Sequence, residues 1–171
     1  MKRAPALLAV LLVFAVVAAG CGTKTITQTG ANGAVTTKSV PNVHFAKTKF
    51  VLHLGLAFGA FHRYIYRPYV AGSFKSGAGG RTKALVKAGA AALYAVHELK
   101  TAREDALSDE HLRPLAERVE GLLGRLTSLG GSLKGGSLNP GAIAGAAGAV
   151  SSLGAASSGV GAVIKDLAPA L

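Results

Sequence analysis

Cysteine is nearly absent: Cys21 is the one thiol among 171 residues. No disulfide can close within the chain, and the Cys-x-x-Cys spacings of redox, zinc and haem sites are excluded. Tryptophan is missing altogether, and after residue 20 the aromatics cluster between Phe45 and Phe74, with only Tyr94 outside. No acidic residue precedes Glu98. The first half therefore cannot build a carboxylate site or orient a histidine by itself. Other signatures are missing too. His97-Glu98 is not followed by the second histidine of a zinc protease. There is no Gly-x-Ser-x-Gly elbow, no phosphate-binding loop and no dinucleotide fingerprint. No cofactor, no metal site and no enzyme are expected.

Positive charge fills the gap left by the acids. Ten Lys and Arg residues lie between Gly22 and His97, whereas beyond Glu98 the two signs nearly balance. The net formal charge is +11. A one-sided field of this kind attracts anionic surfaces. Its plainer role is solubility.

The start of the chain has three parts. Lys2 and Arg3 are followed by an apolar run from Leu7 to Val17 and by the small residues Ala18, Ala19 and Gly20. This is the order of a secretory leader. The apolar stretch from Ala4 to Gly20 is 17 residues, short of the roughly 20 that a helical span needs. A plain signal peptide and an N-terminal anchor are the alternatives to what comes next.

Ala18-Ala19-Gly20-Cys21 resembles the lipobox of bacterial lipoproteins. The resemblance implies diacylglycerol on the Cys21 thiol, cleavage before that residue and often a further acyl chain such as palmitate on the new amino terminus. The expected location is then the extracytoplasmic side of the cell membrane. The expected partners are the membrane itself through Cys21, anionic lipid or wall polymer, and another envelope protein. No nucleic acid partner is expected.

Four regions follow: a leader over 1–20, a flexible tether over 21–43, a helical domain over 44–135 and a Gly/Ala/Ser-rich helix or tail over 136–171. The tether is rich in Thr, Gly, Lys and Asn and buries little. Its rival is a hairpin, because Asn32-Gly33 signals a tight turn between two Thr-rich runs. The expected fold class is all-α, a small three- to four-helix bundle on that tether.

The first helix is expected from Phe45 to Tyr66, ending near Arg67 before Pro68. Its core is a run from Phe50 to Phe61 without formal charge, apolar on all sides, as in a helix covered by others. His53 inside this run is expected to be a core histidine with a backbone partner. The second helix spans Thr82 to Ala106, with Leu85, Ala88, Ala92, Val96 and Leu99 on one stripe. Its bases come early and its acids late, against the helix dipole.

The third helix opens at Ser108-Asp109-Glu110 and becomes regular near Arg113, since Pro114 must lie in the first turn. Leu112, Leu115, Val119, Leu122, Leu126, Leu129 and Leu133 recur at heptad spacing. Two glycines interrupt this helix, so the seam is expected to pack inside the domain, with an envelope adaptor surface as the alternative. Asn139-Pro140 caps a fourth helix. It opens on the GxxxG of Gly141 and Gly145 and is uncharged to Ile164. That pattern resembles the glycine zippers of some envelope lipoproteins. A packed helix, a second membrane contact and a low-complexity tail stand as its three readings.

The candidate binding patch is Arg63, Tyr64, Tyr66, Arg67 and Tyr69. Interleaved rings and cations stack on sugars or bases, bind phosphate, or lie at a membrane interface. The plainer alternative is a helix end with its tyrosines turned inward. His97, Glu104 and His111 recur at sevens, but on one helix that spacing rises about 10.5 Å, too far for one ion.

Overall fold

The computed structural model describes residues 22–29, 35–167 and 169–171. The leader, Cys21 and the Asn32-Gly33 turn lie outside the described residues. The chain divides into two units, residues 1–44 and 45–171.

In the first unit, β1 (Thr23–Thr29) and β2 (Val35–Pro41) pair antiparallel, from Thr23 opposite Pro41 to Thr29 opposite Val35. The Asn42 amide donates to the Gly22 carbonyl at 2.8 Å and extends the ladder. This corrects the expected tether. The hairpin forms because β-branched Thr, Val and Ile favour extended backbone. That preference operates even where polarity promises little burial.

The second unit is almost wholly helical. Its elements are α1 (Ala46–Phe61), a π-turn (His62–Tyr66), α2 (Arg67–Val70), α3 (Arg81–Ser108), a 3₁₀ turn (Arg113–Leu115), α4 (Ala116–Lys134) and α5 (Pro140–Gly159). α3 lies between α1 and α4, and α5 packs on α4 and reaches the π-turn. Small residues set the spacing: a Cβ on Gly130 of α4 would stand 3.1 Å from the Ala92 Cβ of α3.

The apolar patterns land where they were expected. Phe50, Leu54, Phe58 and Phe61 of α1 are buried, as are all seven residues of the heptad seam. The Leu112–Leu133 face is therefore occupied by the chain's own helices. In α5, Ile143, Ala146, Val150, Leu153 and Ser157 form the buried side. The Asn139 side chain caps it by accepting from the Ala142 amide at 3.1 Å. Among the described residues, no helix is long and apolar enough to cross a membrane.

Three boundaries differ from expectation. Ser108 closes α3 rather than opening the next helix. Asp109 follows as the C-cap of α3, and its Oδ1 closes a turn by accepting from the His111 amide at 2.8 Å and the Leu112 amide at 3.3 Å. Pro114 sits in the 3₁₀ turn, so regular α4 starts at Ala116. The helical backbone also runs through Pro68 to Val70 instead of stopping before it.

Beyond α5 the chain returns as an extended strap across α1. The Leu167 amide donates to the Gly55 carbonyl at 2.9 Å. A Cβ on Gly55 would stand only 2.5 Å from the Lys165 carbonyl oxygen, so glycine lets the two backbones meet.

Candidate functional site

Two clusters carry the chemistry of the helical unit. The first is the π-turn, which contains three of the five patch residues. An α-helical ladder here would need an amide hydrogen on Pro68, which has none. The wider turn instead lets the Arg67 amide donate to the His62 carbonyl, five residues back. Single π-turns inside helices recur at functional sites.

The patch divides. Arg63 and Arg67 are exposed, and Tyr66 is 38 % exposed. Tyr64 and Tyr69 are half-buried against the apolar core. The Tyr64 ring has the Arg63 guanidinium 5.5 Å and the Lys87 ammonium 5.9 Å from its centroid. Its hydroxyl donates to the Pro169 carbonyl at 2.8 Å and accepts from the Leu171 amide at 3.4 Å. Tyr64 is thus a clasp for the strap rather than a free stacking platform. His62 helps, with Nδ1 at 2.6 Å from Asp166 Oδ2. Tyr66 lies over Phe61 with centroids 6.2 Å apart. Arg63, Tyr66 and Arg67 are the members of the patch that remain presented to solvent.

The second cluster was not foreseen. His53 does not bond backbone. Its Nδ1 lies 2.6 Å from Glu98 Oε2, and its Nε2 lies 3.9 Å from Asp105 Oδ2. A carboxylate accepts, so Nδ1–H donates to Glu98, and this fixes Nε2 toward Asp105. Tyr94 donates to Glu98 from one turn earlier on α3, and its phenol pKa is raised by burial, by the Glu98 charge and by that bond.

Asp105 is 2 % exposed, and its Oδ2 has no hydrogen-bond partner. Burial pushes its carboxyl up to about 6, against the lowering pull of His53 and Lys49 and with a further push from Glu104. A buried carboxylate oxygen without a donor is costly to ionise, which is why the carboxyl holds its proton to higher pH. The sequence held little signal. Glu98 and Asp105, seven apart, share one side of α3, but at 3.6 residues per turn that side lies roughly 120° or more round the helix from the Leu85–Leu99 stripe.

Both ring nitrogens of His53 face protein carboxylates, which suits the cluster to holding α1 and α3 together and to storing a proton. Among the described residues, no group of three or more His, Cys, Asp or Glu is placed to hold a metal ion. His97 and His111, both exposed, are separated by the end of α3.

Comparison with protein family models, with curated proteins and with solved structures finds no match for this chain.

Proposed function

We propose that this chain is a non-enzymatic bacterial envelope protein, anchored by lipid on Cys21, whose small helical bundle lays a basic outer face on anionic lipid. The observation that carries this reading is the exposed side of α1 and α2. Phe45 at the start of α1, Lys49 and Leu52 recur at four and three, and all are exposed. Through the π-turn and into α2, Arg63, Tyr66, Arg67 and Val70 repeat the pattern, also exposed. Neither helix contains an acid.

Apolar tips interleaved with cations are the profile of a helix lying in a membrane interface. Tyr66 supplies an amphipathic ring for that boundary. Each cation near an anionic leaflet contributes about 1 kcal/mol, within a Debye length. The acyl chains expected on Cys21 already hold the chain at a membrane, so the basic face serves to orient the helical unit on the leaflet.

The test is cosedimentation of the chain beginning at Gly22 with neutral and with anionic vesicles, at low and high salt. Binding to anionic vesicles alone, lost in salt and lost in Arg63→Glu/Arg67→Glu, supports the reading. Equal binding to both vesicle types, or to neither, overturns it.

A further inference from the structure

A groove of about 440 Å³ opens between the first three turns of α3 and the last turn of α4. Its volume lies in the range of small-ligand pockets, roughly 300–1,000 Å³. Leu85 and Leu133 are buried beneath it. Val86 and Leu93 wall it, and they stay 67 % and 59 % exposed. Val86 and Leu93, seven residues apart, share one side of α3, so with Leu85 and Leu133 they make the groove's apolar lining continuous. Gly89 keeps the trough open: a Cβ there would meet nothing nearer than the Lys134 backbone, at 3.8 Å.

The charge at one end of the groove points to its occupant. Arg81 and Lys134 line it. Arg81 is steadied by donating from Nε to the Phe74 carbonyl at 3.0 Å and from Nη2 to the Gly136 carbonyl at 3.3 Å. Those acceptors are neutral. Among the described residues, neither Arg81 nor Lys134 has a carboxylate partner. The neighbouring Lys83 is exposed, and α3 carries no acid before Glu98.

We infer that this groove binds a single-chain anionic lipid of the fatty-acid type. The aliphatic chain covers Val86 and Leu93 and lies over Leu85 and Leu133. The carboxylate meets Arg81 and Lys134. The face formed by α1 and α2 takes no part, so this site stands independently of the function proposed above.

The experiment uses the full chain in vesicles of neutral lipid, with a palmitate carrying a photoreactive diazirine on its chain. The methyl ester of the same molecule is the uncharged control, and the labelled peptides are mapped by mass spectrometry. The acid is expected to label the Val86–Leu93 stretch. The ester is expected to label it about tenfold less, the worth of one charge-assisted contact. Gly89→Leu fills the trough and abolishes this label. Leu93→Glu does the same from an exposed position that packing does not need, so it decides the matter if Gly89→Leu fails to fold. Arg81→Gln/Lys134→Gln brings the acid down to the level of the ester. Equal labelling by acid and ester, label spread along the chain, or label unchanged in folded Leu93→Glu overturns the inference. Vesicle composition is neutral throughout, so a failure of anionic-surface binding leaves this result readable.

Discussion

His53 on α1 and Glu98 on α3 stand 45 residues apart in the chain and 2.6 Å apart in the fold. The pair joins the aromatic-rich helix to the alanine-rich one through a polar contact inside an otherwise apolar seam. Asp105 completes it from the other ring nitrogen. Two measurable consequences follow from this cluster, and two further predictions concern the strap and Cys21.

The contribution of Asp105 to stability should grow as pH falls. Asp105 has its carboxyl raised from 3.8 to about 6. Between those values the native state binds more protons than the unfolded one, so stability falls as pH rises. The contribution is fully present below about 4 and is lost as pH passes about 6, and it amounts to at most about 3 kcal/mol. Urea unfolding of wild type and Asp105→Asn at pH 4, 5, 6 and 7 checks this. The variant should lack the slope and exceed wild type at pH 7. Parallel profiles would assign the proton elsewhere.

Removing the imidazole should cost more than removing the pair. His53→Ala leaves the Glu98 and Asp105 carboxyls buried without their imidazole partner, a loss of about 3 kcal/mol. Made in an Asp105→Asn background, where no stranded carboxylate remains, His53→Leu/Glu98→Leu exchanges the same contact for apolar packing and should cost clearly less, since hydrophobic replacement of buried ion pairs is often neutral. Thermal melts of both variants at pH 7 give the comparison. A double variant worse than His53→Ala would mean that the pair is stabilising in its own right.

Gly55→Ala should lift the strap. The new methyl would stand 2.5 Å from the Lys165 carbonyl oxygen, a backbone atom that cannot swing aside. Overpacking of this kind costs about 1–3 kcal/mol. The Leu167 amide, which donates to Gly55, should exchange faster with solvent, and trypsin should cut after Lys165 sooner. Unchanged exchange at Leu167 would show that α1 shifts instead.

Cys21→Ala tests the anchor. The protein should leave the detergent phase or keep its leader, and its mass should lose the lipid. Partition and mass equal to wild type would end the lipoprotein reading.

Much of the architecture was legible because it rests on local periodicity. The stripe on α3 predicted a helix to within two residues at each end: Thr82 to Ala106 expected, Arg81–Ser108 observed. Asn139-Pro140 marked the start of α5 because a capping side chain and a fixed φ act within one turn. The heptad seam is buried throughout, since a stripe that wide has to find cover. The errors were those of weighing one local rule against another. Low hydrophobicity outweighed β-branching in residues 22–41, and Pro68 outweighed the continuity of its helix. A π-turn removes that second conflict by moving the hydrogen bond which proline cannot make.

The reversed charges of α3 become intelligible only in three dimensions. Arg81 at its start donates to carbonyls of Phe74 and Gly136, and Asp105 near its end meets His53 of α1. Long-range partners outweigh a dipole term worth about 0.3–1 kcal/mol.

The linear order of residues determined the helices, the buried stripes, the basic first half and the lipobox-like Cys21, because each depends on neighbours a few positions away. The tertiary structure alone decided that His53 faces two carboxylates, that Tyr64 clasps the strap, and that an apolar groove beside Arg81 and Lys134 stays uncovered. Each of those depends on groups brought together from different helices, and the spacing along one helix carries no record of what packs against it.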